Sequence, residues 1–529
     1  MCCNGFDAVL NALSTLDDKG PDKVLVVDFG GQYAHLIARR VRELNVYSLV
    51  ANYSIVDEGF IDKIKPKAII LSGGPSSILC RKHPRIGDWI LDLNIPVLGI
   101  CYGHQLLAVM IGGRVETGRG EYGRTMIKII NKDPLFEGWS SEEYVWMSHR
   151  DYVAELPSNT KILAISENGY IAAFKISDKK IYGVQFHPEV YHTRKGMLLL
   201  KNFLFNIARV KPEWRMENIV DNIVENIRRK VKPYEKVLVA VSGGVDSTVT
   251  ALLVKKAVGK RLVPVFVNHG LMREGEVEEV LENLRSLGIN PIYIDASNRF
   301  LERLKGIRDC EEKRRIIGEE FARIFSDIVR RDKDIKWLAQ GTTYPDVIES
   351  GSTPGSDRIK SHHNVAGLPD WLGLKVLEPL RELYKDEVRR LALHLGVPKD
   401  VAYRHPFPGP GLAVRIIGEV NEEKLRIVRR ASRIVEDVLK KHNLYDRVWQ
   451  AFAVVGDDKW VGVKGDKRQH GYIVIVRVVE SVDGMTADWV RIPYEVLDEI
   501  SKRITSEISE VVMVTYAITT KPPSTIEPC

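Results

Sequence analysis

Val237-Leu-Val-Ala-Val-Ser-Gly-Gly-Val-Asp-Ser-Thr248 runs from an unbroken apolar stretch into a glycine-rich turn, and the helix-like segment Thr248 to Val258 follows it. A run of this kind predicts a strand buried on both faces, the mark of a parallel sheet whose crossovers are helices. The turn delivers two glycines and two serine hydroxyls to a helix N-terminus. Unpaired N–H groups and the helix dipole there make an anion site, and phosphate is the expected guest. The loop lacks the Gly-Lys-Ser/Thr ending that supplies a phosphate lysine and a magnesium-binding hydroxyl in ordinary ATPase loops.

The same alternation of strand and helix extends outward in both directions. Before the loop, strands are expected at Val24 to Val27, Ala68 to Leu71, Val97 to Ile100 and Ile181 to Phe186. After it they are expected at Leu262 to Val267, Pro291 to Ile294 and Trp337 to Gln340, with a helix at Glu217 to Val231 leading in. The Pro/Gly cluster Arg404-His-Pro-Phe-Pro-Gly-Pro-Gly411 interrupts regular structure. Beyond it come a helix at Asn421 to Lys441, β-rich stretches at Phe452 to Val455 and Tyr472 to Val479, a helix at Pro493 to Ile508 and a strand at Val511 to Ile518. The expected fold is therefore α/β: two doubly wound, mostly parallel-sheet domains followed by a smaller α+β domain. The expected boundaries are an extension over 1–21, then domains over 22–212, 213–404 and 405–529.

Bulk properties narrow the class. A chain of 529 residues is too long for one core and fits about three domains. Its 44% hydrophobic and 28% charged residues are those of a soluble globular protein, and no apolar run approaches the ~18 residues of a membrane span. Residues 1–20 lack the basic start and apolar core of a secretory signal. A cytoplasmic enzyme is expected, without membrane attachment. The net charge of +7 is spread through mixed-sign segments, which argues against a nucleic-acid surface and fits anionic small substrates. Six cysteines, at 2, 3, 80, 101, 310 and 529, form no Cys-x-x-Cys pair and have no histidine at zinc spacing. The expectation is reduced thiols, with no disulfide framework and no structural metal.

A second centre of chemistry lies at Gly99-Ile-Cys101-Tyr-Gly103, between a strand and the helical run His104 to Met110. Glycines on either side of a nucleophile permit a sharp turn that exposes it, and the helix N-terminus favours the thiolate. Gly183-Val-Gln-Phe-His187-Pro-Glu189 offers the base and the acceptor that orients it. Cys101, His187 and Glu189 are the candidate catalytic residues, and the backbone N–H groups of Gly74 and Tyr102 are candidates for an oxyanion site. His149 in Met147-Ser-His-Arg-Asp151 is either a further partner or a structural residue.

Asp28-Phe-Gly-Gly-Gln-Tyr33, Gly73-Gly-Pro75, Gly99-Ile-Cys-Tyr-Gly-His-Gln105 and Gln185-Phe-His-Pro-Glu189 together resemble the class I glutamine amidotransferases over about residues 23 to 210. The resemblance implies that Cys101 attacks the glutamine side-chain amide, releases ammonia and leaves a thioester for water to hydrolyse. Ser-Gly-Gly-Val-Asp-Ser resembles the pyrophosphate loop of the N-type ATP pyrophosphatases, which adenylate an oxygen on a second substrate. Val267-Asn-His-Gly-Leu-Met-Arg273, Ile294-Asp-Ala296, Glu311 to Gly318, Ala339 to Ser350, Leu377 to Glu382, Pro408 to Leu412, Gly462-Val-Lys-Gly-Asp466 and Lys521 to Glu527 resemble the GMP synthetase family.

That family implies glutamine, ATP and xanthosine 5′-monophosphate (XMP) as substrates, magnesium with the ATP, no redox cofactor, and a homodimer formed by the C-terminal domain. It implies that Ser242, Gly243, Gly244, Val245, Asp246, Ser247 and Thr248 hold ATP. Arg314, Asp466, Lys521 and Glu527 are implied to bind XMP. Two of these also have a plainer reading: Arg314 on a solvated helix face, Asp466 capping its turn. Asp346 and Glu349 either bind magnesium or order their loop, so the metal ligands stay open, and His362-His363 reads as a loop contact. Two departures stand out. Asn268 replaces a usual Asp near the expected adenosine contact, and the chain has Ile526-Glu-Pro-Cys529 where the family has Ile-Glu-Trp-Glu, a change expected to loosen the terminal clasp while sparing Lys521 and Glu527.

Overall fold

The structure is a computed structural model, and it describes residues 21–31, 33–344, 346, 373–481 and 486–529. The chain folds as two units, the first running to Asn222 and the second from Ile223 onward. Glu349 and His362-His363 lie outside the described residues.

The first unit is built on one nine-stranded sheet. Its strands are β1 (Lys23–Asp28), β2 (Tyr47–Asn52), β3 (Ala68–Leu71), β4 (Val97–Ile100), β5 (Arg114–Ile129), β6 (Glu142–Glu155), β7 (Thr160–Ser166), β8 (Ile171–Ile176) and β9 (Ile181–Val184), in the order β2-β1-β3-β4-β9-β8-β7-β5-β6. From β2 to β9 all pairings are parallel. Strands β3, β4 and β9 are buried at every position, as strands covered on both faces must be. From β9 to β6 the pairings turn antiparallel. Here β6 alternates, with Val145, Met147, His149, Asp151 and Val153 inward. This sheet is thus half antiparallel, a feature that charged, alternating sequences such as Arg114 to Glu121 conceal. Helix α1 (Ala34–Glu43) packs Ile37, Ala38 and Val41 into the core, and helix α2 (Tyr102–Met110) follows β4 directly.

The second unit carries a parallel sheet of β10 (Lys236–Ala240), β11 (Leu262–Asn268), β12 (Ile292–Asp295), β13 (Ile335–Ala339) and β14 (Lys375–Leu377), in the order β12-β11-β10-β13-β14. Strand order reverses between β10 and β13, and ligands of such sheets bind outside the strand carboxyl ends at that point. Helix α3 (Val245–Val258) starts there. Helix α4 (Cys310–Arg331) is capped by Asp309, whose side chain accepts from Glu312 N at 2.9 Å. Helix α5 (Lys385–His394) lies further along the chain.

A second sheet in this unit pairs β15 (Gln450–Lys464) with β16 (Lys467–Glu480), and β16 with β17 (Asp488–Trp489) and β18 (Val511–Tyr516). Helices α6 (Glu422–Lys441) and α7 (Tyr494–Glu507) bury Val428, Ala431, Val435, Ile500 and Ile504 against it. One hydrophobic core runs through both sheets, taking in Leu238, Val265, Phe300 and Leu338 together with Leu412, Val435, Val474 and Ile504. The Pro/Gly segment contributes to it: Leu412 N donates to Leu271 O at 2.8 Å. Gly411 has φ +63°, and a Cβ there would stand 2.4 Å from Leu271 O, so glycine is required.

Contrary to the expectation of reduced thiols alone, the protein contains a disulfide. Cys310, at the start of α4, is joined to Cys529 by a disulfide with a Cα–Cα distance of 5.1 Å and a sequence separation of 219. No local spacing announces a pair so distant; tertiary folding alone brings the two together. Among the described residues Cys80 and Cys101 are free. The clasp expectation changes with it, because the Ile526–Cys529 tail is held covalently where the family's aromatic is missing.

Candidate active sites

In the first unit the carboxyl ends of β3, β4 and β9 supply one cluster of side chains. Cys101 sits between β4 and α2 at φ +53° and ψ −102°, a strained conformation for a residue with a Cβ and typical of a nucleophile held on a tight elbow. Its flanking glycines are dictated by space. A Cβ on Gly99 would lie 2.5 Å from Gly103 O, and one on Gly103 would lie 2.5 Å from Leu71 O. Strand, turn and helix therefore close on each other only without side chains at these two positions.

His187 follows β9 and is fixed on several sides. Its N–H donates to Trp146 O at 3.0 Å, and its carbonyl accepts from Thr193 Oγ1 at 2.7 Å. Its Nδ1 meets Glu189 Oε1 at 2.7 Å, which leaves the other ring nitrogen for the thiol. Burial by itself would push the His187 pKa down. The Glu189 carboxylate and the Cys101 thiol, to which the ring is also hydrogen-bonded, outweigh it and hold the imidazole well above its ordinary range. Glu189 is fully buried at its side chain, and Arg40 Nε anchors its carbonyl at 2.9 Å.

Gly73 packs against both reactive groups, since a Cβ there would be 3.2 Å from His187 Cε1 and 3.6 Å from Cys101 Cβ. Gly74 packs beside Tyr102, whose ring would lie 3.5 Å from an added Cβ. The structure thus brings Cys101, His187, Glu189, Gly74 and Tyr102 together. His149 belongs to a separate buried pair, with Nε2 to Glu121 Oε2 at 2.9 Å and Nδ1 to Asp151 O at 2.9 Å. Burial works to raise the Glu121 pKa, yet hydrogen bonds from His149, Ser166 and Asn168 prevail and lower it. His104 is wholly enclosed, and burial depresses it to about 3, so it serves the core as a neutral ring.

The second cluster forms at the reversal point of the parallel sheet. Ser247 Oγ accepts from Ser242 N at 3.1 Å and donates to Gly244 O at 3.1 Å, so the serines shape the loop that the sequence marks as a phosphate cradle. Thr248 Oγ1 donates to Gly244 O at 2.9 Å. Gly243 has φ +79°, and a Cβ would overlap Val280. Just beyond β13, Gly341 approaches Asp246 so closely that a Cβ would sit 3.0 Å from its backbone. Asp246 Oδ2 pairs with Lys385 at the start of α5, whereas Asp246 Oδ1 is buried with no hydrogen-bond partner among the described residues. An orphaned carboxylate oxygen beside a phosphate loop fits a hard divalent cation such as magnesium. Asp346 accepts from Thr343 N and Oγ1 at 2.9 and 2.7 Å and thereby orders its turn. Asn268 also shapes its loop, with Oδ1 accepting from Gly270 N at 3.0 Å.

The four candidates for the nucleotide acceptor do not share one set of contacts. Arg314, on α4, donates to Cys529 O, and burial lowers its pKa. Glu527 is gripped by Arg415 through both carboxylate oxygens, at 3.0 and 3.1 Å, and by Gln450 Nε2 at 2.6 Å. Arg415 is fully buried over the ring of Phe452. Lys521 pairs its backbone with Ala487. Arg477 donates to the carbonyls of Thr519 and Thr525 at 2.6 and 3.1 Å and so holds the intervening tail. Asp466, at φ +61°, occupies the turn between β15 and β16. Sequence reasoning did not single out Lys385, Arg415, Gln450 or Gln185; only Gln185 lay inside a recognised motif.

Known proteins define the class first. The model for class-I glutamine amidotransferases matches residues 25–207, that for NAD synthase residues 216–322, and that for the GMP synthase C terminal domain residues 437–528. A glutaminase of this type joined to a nucleotide-activating sheet describes an amide-nitrogen ligase. The glutamine-hydrolyzing GMP synthase of Pyrobaculum aerophilum is 62% identical over 510 residues, covering 96% of this chain and 100% of its own. Those of Aquifex aeolicus and Carboxydothermus hydrogenoformans are 51% and 50% identical, over 95% and 96% of this chain and 99% of each relative. The chain belongs to the family of glutamine-hydrolysing GMP synthases.

Proposed function

We propose that the chain aminates XMP to GMP, with glutamine as nitrogen donor and ATP as activator. The observation that carries this reading is a Cys101–His187–Glu189 relay in the same polypeptide as the Ser242–Thr248 loop, within a chain 62% identical to a GMP synthase.

In the first step the Cys101 thiolate attacks the glutamine carboxamide carbon. His187 carries the thiol proton to the departing ammonia, and Glu189 keeps the ring oriented with Nδ1 protonated. The N–H groups of Gly74 and Tyr102 stabilise the tetrahedral oxyanion, and water then releases glutamate from the thioester. In the second step an oxygen of XMP attacks the ATP α-phosphate and expels pyrophosphate. Ser242 to Thr248 hold the phosphates at the helix N-terminus, and ammonia displaces AMP from the adenylated base. Magnesium would be held by Asp246 and the phosphate oxygens, where it neutralises charge on the leaving pyrophosphate. Lys385 holds Asp246 in place.

Arg314, Asp466, Lys521 and Glu527 are assigned to XMP by resemblance, with Glu527 presented by Arg415 and Gln450. The functional division runs 22–212, 213–404 and 405–529, for a homodimeric cytoplasmic enzyme. No helix among the described residues is long and apolar enough to cross a membrane, which is compatible with that location. The deciding experiment incubates the purified chain with ATP, magnesium, glutamine and a panel of nucleotide acceptors. AMP and glutamate formed together only with XMP support the assignment; equal AMP formation with another acceptor rejects it.

A further inference from the structure

The thiol of Cys101 touches more than its base. Gln185, wholly buried, places its Nε2 at 3.7 Å from Cys101 Sγ, within reach of an N–H···S hydrogen bond. Which end of the amide faces the sulfur follows from a chain of donors that starts at a group with no choice. The Asp151 carbonyl can only accept, so Gln105, 2.7 Å away, must turn its NH₂ toward it. The same NH₂ reaches Gln185 Oε1 at 3.2 Å. That contact uses the oxygen of Gln185 and leaves its NH₂ for the sulfur. Gln185 N is itself tied to Ala172 O at 2.9 Å, and Asp151 O also meets His149 Nδ1.

We propose that Gln185 is a positioning residue of the glutaminase: its carboxamide, oriented by Gln105, donates to the Cys101 sulfur and favours the thiolate. The inference rests on the reading of Cys101 as nucleophile. A donor to sulfur stabilises the anion over the neutral thiol, because hydrogen bonds to charged groups are the stronger kind. The Glu121–His149 pair supports the arrangement from behind by fixing β6, which carries Asp151.

The test uses the full chain with Gln185→Met, which keeps length and volume without a donor, and Gln185→Glu, which sets a carboxylate against the sulfur. Alkylation of Cys101 by iodoacetamide is followed across pH by peptide mass, so that other cysteines do not interfere. At pH 7 the Met variant should react about tenfold more slowly, its profile moved to higher pH, and the Glu variant more slowly still. For glutamine hydrolysis kcat should fall about tenfold while KM stays within about twofold. A Met variant with the parent's alkylation profile, or a Glu variant that reacts as fast as the parent, overturns the proposal. If thermal melting shows that neither variant folds, Gln105→Met must give a smaller shift in the same direction, and no shift there also overturns it. Cys101→Ala tests the underlying reading alone: persistent glutamine hydrolysis in that variant would remove the nucleophile, whatever the alkylation arm reports.

Discussion

The cluster proposed for glutamine hydrolysis in the first unit and the one proposed for nucleotides in the second are built on opposite principles. Around Cys101 the reactive groups already face one another: His187 meets Glu189 at 2.7 Å, and Gln185 and Gly73 close around the thiol. Around Ser242 to Thr248 and the tail the groups hold one another, with Asp246 on Lys385, Ser247 on Gly244, Glu527 on Arg415 and Arg314 on Cys529. A small neutral substrate needs a site preorganised for one transition state. Two large anionic nucleotides need charges that are first balanced within the protein and then exchanged onto ligand.

The comparison breaks most visibly at Cys101. Cys101→Ala should reduce glutamine-supported GMP synthesis at least about 1,000-fold while synthesis from added ammonium continues. Assays of AMP release with each nitrogen donor check this, and equal loss with both donors would mean that the sites are not separable. The next largest effect is expected at the disulfide. Cys529→Ser should lower unfolding free energy by about 2–4 kcal/mol, seen as a lower denaturation midpoint, because the bond constrains a long stretch of unfolded chain. The variant should also raise KM for XMP, since Arg314 and Glu527 both depend on the tail.

Asp246→Asn sharpens the contrast from the other side. It should slow synthesis about a hundredfold with either nitrogen donor and leave glutamine hydrolysis intact, as read by separate AMP and glutamate assays. Glu189→Gln should slow glutamine hydrolysis less than the loss of Cys101 does. It also tests the sign of the His187 shift. A histidine pKa raised by folding stabilises the protein fully below the unfolded value of about 6.5, and that contribution fades as pH climbs through the raised native value. The stability gap between parent and Glu189→Gln should therefore be widest in mild acid and narrow toward alkaline pH; a gap that widens with pH contradicts the assignment.

Much of this architecture was legible because buried parallel strands leave unbroken apolar runs. Ala68–Leu71 and Val97–Ile100 match their expected limits, and helix Glu422–Lys441 begins one residue inside its expected start, where Asn421 accepts from Lys424 N. Strands β5 and β6 escaped notice because one face meets solvent, so charges alternate with core residues along them. At the candidate sites, contacts local to a motif were readable, as between His187 and Glu189. Residues whose role arises from distant contact were not. Lys385 lies 139 positions from Asp246, and Arg415 lies 112 from Glu527. Cys310 and Cys529 were misread for the same reason.

That pairing turns the segment from Cys310 to Cys529 into a closed covalent ring that contains β13, β14 and the whole of the second sheet. A single backbone cut anywhere between 311 and 528 therefore releases nothing. The nicked molecule gains only the elements of one water and runs as one species until a dithiol opens the ring, and only then do two fragments separate. Such a cut stays hidden from any separation of fragments by size made without reductant.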